Sequence, residues 1–153
     1  MANAICYLQG DGIQGTATFF QSEPYATTVI DVNINGLSKG CHGISINVFG
    51  DLSDGWKKLG PHFNPMGKRH GSPDGDERHV GSLGNIESNG VEATLHREDA
   101  LVQVIGPYSV IGRSVVIYER EDDLGKGDSE MSPVNGNVGE PIAAGVIGIA
   151  NRL

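Results

Sequence analysis

Residues 60–85 read GPHFNPMGKRHGSPDGDERHVGSLGN, and this stretch holds His62, His70 and His79, three of the five histidines of the chain. The histidines are eight and nine residues apart, which matches neither a helical repeat nor the alternation of a strand. Only a loop that folds back on itself could bring them together. Converging imidazoles in a long ordered loop predict a metal site. The alternative is three unrelated surface histidines in a polar linker, and the spacing does not decide between the two.

On both sides of this stretch, short runs alternate between apolar and polar residues and end at glycine or at turn clusters, a pattern typical of β-strands. The pattern predicts eight strands, at residues 4–9, 14–21, 28–35, 43–48, 90–95, 100–105, 113–118 and 143–150. No segment carries a sustained 3.6-residue apolar stripe, and 23 glycines and 7 prolines interrupt the chain at short intervals. The expected fold class is all-β, an antiparallel sandwich or barrel.

Two long irregular segments interrupt the predicted strands. The first begins after Gly50 and includes the histidine stretch, and the second comprises residues 119–140. The second segment contains seven acidic and two basic residues, a net charge of −5 (2 − 7). Because a strand resumes directly beyond it, we interpret it as a long loop rather than a linker.

The composition restricts the classes of partner. With 153 residues, of which 38% are apolar, the chain has the length of one domain and can bury a sizeable core. The formal net charge is −8 and the isoelectric point is near 4.9. Neither nucleic acid nor an anionic membrane is attracted to an acidic surface, so we expect no nucleic acid and no membrane among the partners.

The cysteines and the N-terminal residues predict a cytoplasmic protein. Cys6 and Cys41 are too few for a disulfide framework, which agrees with a reducing compartment. The first residues, MANAICYLQGDG, lack the basic and apolar regions of a secretory signal. We expect Cys6 to be a small core residue, and nothing in the sequence decides the role of Cys41.

Several motifs resemble, in order and spacing, those of the copper-zinc superoxide dismutase family. They are Gly60-Pro61-His62-Phe63-Asn64-Pro65, Arg78-His79-Val80-Gly81, Leu83-Gly84-Asn85, Ile111-Gly112-Arg113, Asp122-Asp123-Leu124-Gly125 and Gly145-Val146-Ile147-Gly148-Ile149-Ala150. The resemblance extends along essentially the whole chain. It implies a single superoxide dismutase-like domain of residues 1–153, folded as an eight-stranded antiparallel Greek-key barrel or immunoglobulin-like sandwich with two long loops.

The sequence departs from the family at the positions that the resemblance assigns to copper. The family pattern His-Gly-Phe-His-Val-His reads here His42-Gly43-Ile44-Ser45-Ile46-Asn47, so Ser45 and Asn47 replace two copper histidines. Tyr118 replaces a third. Hydroxyl, amide and phenol groups suit copper poorly, because Cu(I) and Cu(II) favour imidazole and sulfur. No redox copper is therefore expected, and His42 corresponds to a structural histidine of the family.

The resemblance implies a zinc site at His62, His70 and His79. Ser82 stands where the family has a fourth, carboxylate ligand, so we expect zinc to bind more weakly than in the family. Asp122 corresponds to an aspartate that supports metal-binding histidines from outside the ligand set. The other interpretation of Asp122 is an ordinary residue of an acidic run.

Other features of the family are replaced as well. Pro141 and Val134 stand at the positions of two basic residues that attract superoxide. The family disulfide joins cysteines at the positions of Trp56 and Ala144, so Trp56 is expected to anchor the first loop by burial instead. His96, on an alternating strand, is expected to face solvent.

Three hypotheses of function follow. The preferred one is a non-catalytic relative that acts through protein binding, as a homodimer, with a related dismutase, or with the copper chaperone of such enzymes. Its binding surface is expected at residues 49–51, 111–112 and 146–150, which match the two-fold interface of the family and include the apolar residues Val146, Ile147 and Ile149. The second is a working dismutase with altered ligands, and the third is a zinc hydrolase with a His₃-bound water near Ser82.

Overall fold

The computed structural model describes residues 1–151, which form a closed antiparallel barrel of eight strands with one short helix. The strands are β1 (Ala2–Gly10), β2 (Ile13–Gln21), β3 (Thr28–Asn35), β4 (Gly40–Asn47), β5 (Ser82–Ser88), β6 (Glu92–Asp99), β7 (Ser114–Tyr118) and β8 (Pro141–Ile149), and the helix α1 is Ser132–Asn135. Around the barrel they follow the order β1-β2-β3-β6-β5-β4-β7-β8, and β8 pairs with β1. In this order β3 lies beside β6 and β4 lies beside β7, so the connections β3–β4 and β6–β7 pass over other strands, which confirms the predicted Greek-key barrel.

The alternation read from the sequence places the apolar side chains inside the barrel. Alternate residues are buried at Ala4, Cys6 and Leu8 of β1 and along the whole of β3, and the apolar ones join one core cluster that includes Ile30 and Ile34. Cys6 is therefore the core residue that the sequence predicts, and burial raises the pKa of its thiol to about 12. Cys41 is a free, half-buried thiol.

In the described part of the chain, no helix is long and apolar enough to cross a membrane.

The strand predicted at residues 100–105 is wrong, and a strand at Ser82–Ser88 was missed. The backbone amides of the misassigned segment bond to side chains instead of a neighbouring strand. The Asp99 carboxylate accepts hydrogen bonds from the amides of residues 101 and 102, and the Gln21 side-chain oxygen accepts from those of residues 104 and 105. The missed strand, β5, adjoins the irregular histidine stretch, and its first three residues, Ser82, Leu83 and Gly84, are all buried, so its start lacks the apolar-polar alternation that identifies the other strands.

The two long loops cover the outer face of β7. All five residues of this strand are buried. Val115 and Ile117 belong to the barrel core. Val116 and Tyr118 belong to a second apolar cluster outside the barrel, which also contains Leu59, Val138 and Ala144. The loops therefore enclose a buried layer between themselves and the barrel, and this layer borders the candidate site.

Trp56 and Ala144, the positions of the family disulfide, both contribute to this second cluster. The Trp56 side chain is partly buried and packs against the cluster, and Ala144 is one of its members. Apolar packing therefore occupies the place that the resemblance assigns to a covalent link. Burying an indole typically contributes a few kcal/mol, which is of the same order as the stabilisation from a native disulfide.

The apolar surface expected at residues 146–150 is smaller than the sequence indicates. Ile147 is fully buried in the core, because alternation along β8 turns its side chain inward. Val146 and Ile149 are exposed, as expected. The expectation of an exposed Ile147 is therefore wrong.

A buried ion pair ties the histidine loop to the end of β6. The Arg78 guanidinium donates to the Asp99 carboxylate over 3.0 Å, and also to the carbonyl groups of Pro73, His79 and Val80. Arg78 and Asp99 are both buried, and Arg97 donates to the same carboxylate over 2.8 Å. This network fixes the loop immediately before His79.

We expect Arg78→Met to lower the free energy of unfolding by about 3–5 kcal/mol, because three carbonyl groups lose their donor and the buried Asp99 carboxylate loses one of its two guanidinium partners. Urea denaturation of chelator-treated protein measures the change. Arg69→Met, at an exposed arginine of the same loop, is the matched control and should change stability by less than about 0.5 kcal/mol. A loss below about 1 kcal/mol for Arg78→Met would contradict the assigned role.

Candidate metal centre

Backbone hydrogen bonds clamp both ends of the histidine loop to β4. The amide of Phe63 donates to the Ile46 carbonyl (2.8 Å), the amide of Ile46 donates to the Gly81 carbonyl (2.9 Å), and the amide of Gly81 donates to the Phe63 carbonyl (2.9 Å). A β-bridge between Asn47 and His62 extends this contact. The loop is thus the folded-back segment that the histidine spacing requires, rather than a polar linker.

The structure brings His62, His70 and His79 together. One ring nitrogen from each residue lies within 4.8 Å of the others, and all three side chains are buried. The ring centroids are 5.2–5.4 Å apart, so the imidazoles form a nearly equilateral triangle. The Nδ1 atoms of His62 and His79 are 3.2 Å apart. Two nitrogens that bind one tetrahedral zinc ion at about 2.0–2.1 Å would lie about 3.3 Å apart, so this geometry suits a metal ion.

Burial keeps two of the imidazoles neutral. Desolvation, followed by repulsion from His70 and His79, lowers the pKa of His62 to about 3. Desolvation, followed by repulsion from His70, lowers the pKa of His79 to about 4. Neutral imidazole is the form that binds a metal.

Asp122 and Ser82 contact the two ring nitrogens of His70. The His70 Nε2 atom lies 2.7 Å from Asp122 Oδ1, and its Nδ1 atom lies 3.0 Å from the hydroxyl oxygen of Ser82. An Nε2–H that donates to the carboxylate leaves a lone pair on Nδ1, on the side of Ser82. Asp122 is buried, whereas its neighbour Glu121 in the acidic run is exposed. Ser82 is fully buried at the position of the family carboxylate.

Two supporting residues were not predicted from the sequence. The Asn85 side chain accepts a hydrogen bond from the amide of Asp122 (2.7 Å) and donates to its carbonyl (3.0 Å). Gly136, with φ of 77°, lies so close to the Asp122 carboxylate and to His70 that a side chain would collide with both. Asn85 belongs to the motif Leu83-Gly84-Asn85, which could have identified it as a site residue. Gly136 gave no such signal, because its role depends on the contact between the two loops.

The residues at the copper positions bind each other. The Ser45 hydroxyl donates to Asn47 Oδ1 (2.7 Å), and Asn47 Nδ2 donates to the Tyr118 hydroxyl (3.3 Å). The Tyr118 hydroxyl lies 3.0 Å from Ser45 Oγ, and donation along this contact closes a ring of three hydrogen bonds. Asn47 Nδ2 also donates to the Gly60 carbonyl. All three side chains are buried, and burial raises the pKa of Tyr118, which therefore stays a neutral phenol.

A pocket of about 240 Å³ lies next to this hydrogen-bonded ring. Its lining includes His62, Tyr118 and Trp56, and also Val134 and Pro141 at the positions of the two basic residues of the family. Among the described residues, the buried Nε2 atom of His62 has no hydrogen-bond partner.

The remaining histidines lie outside the cluster. His42 is buried; its Nδ1 atom lies 2.8 Å from the Tyr118 carbonyl and its Nε2 atom contacts Ser38, so it is the satisfied structural histidine that the resemblance implies. His96 is exposed, as the sequence predicts, and the hydrogen bond that its ring donates to the Asp31 carboxylate raises its pKa.

The barrel and the buried histidine cluster define an antiparallel β-barrel protein with a candidate metal centre. The family model described as copper/zinc superoxide dismutase matches residues 13–147. "Superoxide dismutase [Cu-Zn]" from Cordyceps militaris is 47% identical over 99% of this chain and 100% of its own length. "Superoxide dismutase [Cu-Zn] A" from Xenopus laevis is 44% identical (97% and 98%), and "Superoxide dismutase [Cu-Zn] 5" from Dictyostelium discoideum is 42% identical (97% and 98%). The chain belongs to the copper/zinc superoxide dismutase family.

We expect Asp122→Ala to weaken binding of Co²⁺, a spectroscopic probe of the cluster, by about 10–100-fold, because His70 loses the carboxylate that fixes its orientation. Ser82→Asp should tighten binding, because it adds a charged ligand beside His70 Nδ1. Competition with a chromophoric chelator measures both changes. Glu121→Ala removes an exposed carboxylate next in sequence and is the matched control. Equal Co²⁺ affinities for Asp122→Ala and Glu121→Ala would show that Asp122 does not support the site.

Proposed function

We propose that this protein is a superoxide dismutase-like pseudoenzyme that holds zinc but not copper and acts through protein binding. The observation that carries the proposal is the closed ring of hydrogen bonds among Ser45, Asn47 and Tyr118. These residues stand at the positions of three copper ligands, and their donor groups are used within the ring or on the neighbouring backbone.

The donor set near His62 does not fit copper. A copper ion there would meet one imidazole nitrogen, from His62, and otherwise the oxygen atoms of a serine, an asparagine and a neutral tyrosine. Copper prefers imidazole and sulfur ligands, so the site lacks the chemistry for a stable redox centre. Binding would also break the hydrogen-bonded ring and leave buried polar groups without partners.

The electrostatics around the pocket are unfavourable for an anionic substrate. Pro141 and Val134 line the pocket where the family has basic side chains. The covering loop, residues 119–140, has a net charge of −5 (2 − 7), and the whole chain has −8. Charge focusing can change an association rate by about 10–10³-fold, so this surface would slow the approach of superoxide.

The cluster of His62, His70 and His79 fits zinc, with Ser82 as a neutral group at the fourth corner. Zinc bound there would supply a structural cross-link between distant parts of the histidine loop. The absence of a fourth charged ligand supports weaker binding than in relatives with a carboxylate. The hydrogen bond between Asp122 and His70 supports an imidazole orientation that suits metal binding, and Asn85 in turn binds the backbone of Asp122.

Two alternative functions are distinguished from the proposed one by the experiments below. A dismutase with altered ligands, which would convert superoxide to oxygen and hydrogen peroxide, is favoured by the family membership and by the similarity to proteins named superoxide dismutase. A zinc hydrolase would need substrate access beside Ser82, but that residue is fully buried and its hydroxyl bonds to His70, so the structure does not favour it.

An apolar patch supports protein binding as the activity. We define the interface patch as Ile5, Phe49, Ile111, Val146 and Ile149. Gly50 packs against the Gly112 carbonyl and the Val146 side chain, so the segments that carry the patch adjoin each other. Ile149 is 81% and Phe49 is 55% exposed, which is unfavourable for a monomer in water.

The proposed partner is a second copy of this chain, because the patch lies on segments that match the two-fold interface of the family. A heterodimer with a related dismutase, or a complex with the copper chaperone, would use the same patch. We propose a cytoplasmic location, which the free cysteines Cys6 and Cys41 support.

We expect the purified protein to show no superoxide dismutation above that of free metal in the buffer, even after copper loading. The triple variant Ser45→His, Asn47→His and Tyr118→His should bind Cu²⁺, because it restores imidazoles around His62. Electron paramagnetic resonance measures copper binding, and pulse radiolysis measures activity. Adding Pro141→Arg should raise the rate further and make it fall with added salt.

The exposed tyrosine variant Tyr108→His, made in the unaltered chain, is the control for adventitious copper binding by a surface imidazole. A rate within about tenfold of an active family member for the unaltered chain would establish the dismutase alternative. A triple variant that binds no more copper than Tyr108→His would show that the three positions do not surround one ion.

We expect the protein to sediment as a dimer at tens of micromolar and Ile149→Asp to shift it to monomer, because a carboxylate in the interface patch would be buried without a partner. Val91→Asp is the matched control. It changes an apolar residue that is 72% exposed in the turn between β5 and β6, away from the patch. A monomeric unaltered chain, or an Ile149→Asp dimer of unchanged affinity, would contradict the proposed interface.

A further inference from the structure

Three Asn-Gly pairs occur in the chain, at residues 35–36, 89–90 and 135–136. An asparagine before glycine is chemically labile, because glycine has no side chain to hinder the attack of its nitrogen on the asparagine amide, which closes a five-membered ring. In a folded protein the reaction depends on the freedom of that nitrogen and on the orientation of the amide. The three pairs differ in both respects.

The fold protects two of the pairs. The Gly36 amide donates to the Val91 carbonyl (3.2 Å), and Gly36 packs against the Gly12 carbonyl at the end of β3. Gly136 is buried at the end of helix α1, and its amide donates to the Ser132 carbonyl (3.1 Å). Attack by either nitrogen would first break a backbone–backbone hydrogen bond.

The third pair lies in the open turn between β5 and β6. Asn89 and Gly90 are both exposed, and the space where a Gly90 side chain would stand is empty except for Lys39, 3.7 Å away. The Gly90 amide donates to the side-chain hydroxyl of Ser88 over 3.0 Å. Among the described residues it bonds to no backbone carbonyl, so this nitrogen can move without breaking a bond between strands.

The Asn89 side chain is held in position for the attack. Its Oδ1 atom accepts hydrogen bonds from the amides of Val91 and Glu92, both over 2.9 Å. These bonds turn the side-chain carbonyl toward the residues that follow, on the side of the Gly90 nitrogen. They also place two donors on the oxygen that becomes negatively charged when the nitrogen adds to Cγ, as in the oxyanion holes of enzymes.

The surroundings of the pair also suit the loss of a proton and of ammonia. The Ser88 hydroxyl donates its own hydrogen to the Leu37 carbonyl (3.0 Å), so its oxygen faces the proton that the Gly90 nitrogen must lose. Among the described residues, none accepts a hydrogen bond from Asn89 Nδ2. Ammonia can therefore leave this exposed side chain without losing a protein partner.

We propose that Asn89 is a site of spontaneous covalent modification in the folded protein. The Gly90 nitrogen forms a bond to Asn89 Cγ, the Cγ–Nδ2 bond breaks, and ammonia leaves with the proton of the attacking nitrogen, which gives a succinimide. Water that adds at Cγ breaks the new bond and gives aspartate. Water that adds at the backbone carbonyl breaks the original peptide bond and gives isoaspartate, which lengthens the main chain by one methylene.

The two products act differently on the turn. An aspartate keeps the acceptor for the amides of Val91 and Glu92 and binds them more strongly through its charge. An isoaspartate displaces that acceptor and also the Asn89 amide, which donates to the Glu92 carbonyl (3.1 Å) at the end of the β5–β6 pairing. Both products add a carboxylate beside Glu87, Glu92 and Lys39, which line a surface groove at this turn.

The test is incubation of the purified full-length protein in ¹⁸O-labelled water at neutral pH, followed by trypsin digestion in ordinary water. Trypsin places the three pairs in separate peptides, residues 1–39, 79–97 and 127–152, and mass spectrometry detects the oxygen that entered during incubation. We expect Asn89 to be labelled at least about tenfold faster than Asn35 or Asn135, because cyclisation at those two must break a backbone hydrogen bond. The Asn89 rate should rise with pH, because the nitrogen must lose its proton, and in urea the three rates should converge.

Asn89→Gln is the matched variant, because its longer side chain would have to close a six-membered ring, which is slower. It should abolish the label in the peptide of residues 79–97, which also contains Asn85. Labelling at either of the other pairs that equals or exceeds that at Asn89 in the folded protein would overturn the proposal. So would an unlabelled Asn89, a preference for Asn89 that persists in urea, or undiminished labelling of the Asn89→Gln peptide.

Discussion

The site depends on the three backbone hydrogen bonds that join Ile46, Phe63 and Gly81. Each of these residues is next in sequence to a site residue, so the clamp places Ser45, Asn47, His62 and Ser82 around one point. Gly81 must be glycine, because a side chain there would collide with the Ile46 carbonyl. Backbone bonds do not depend on which side chains stand beside them. The clamp therefore keeps positions 45, 47, 62 and 82 adjacent whichever side chains they carry.

The two halves of the site, the Tyr118 side and the histidine cluster, differ in how completely their polar groups are hydrogen-bonded. On the Tyr118 side, a hydroxyl, an amide and a phenol form a closed ring, and a fully satisfied buried network tends to be rigid and specific. On the other side, three imidazoles have more lone pairs than the protein supplies donors for, and His62 Nε2 has no partner at all among the described residues. The unsatisfied half is the one that could hold a metal ion.

The sequence predicts those features that depend on local pattern or on motif spacing. Alternation identifies most of the barrel, and motif spacing identifies the three histidines and Asp122. The alternation wrongly predicts a strand at residues 100–105, because the side chains of Asp99 and Gln21 accept the hydrogen bonds that the backbone amides of a strand would donate to a neighbouring strand. The hydrogen-bonded ring could not be predicted, because it joins side chains from β4 and β7 whose relative register is set by folding. The requirement for glycine at position 136 could not be predicted either, because it arises from contact with Asp122 and with His70 of the other loop.

The burial of the imidazoles has two opposing consequences. Between pH 6.5, the ordinary pKa of histidine, and pH 3–4, where His62 and His79 titrate in the folded protein, the unfolded chain takes up protons that the folded cluster does not. Stability therefore falls as the pH is lowered through this range, by up to about 1.4 kcal/mol per pH unit for each histidine.

The same burial keeps the imidazoles of His62 and His79 neutral in the folded protein, each with one lone pair for a metal. At these two residues a metal ion would compete with protons only near pH 3–4, whereas at exposed histidines it would compete near pH 6.5. Desolvation that costs stability in the metal-free chain thus favours metal binding at neutral and mildly acidic pH. That gain acts against the loss of the carboxylate at Ser82, which is the physical reason why a three-histidine cluster can still serve as a metal site in this chain.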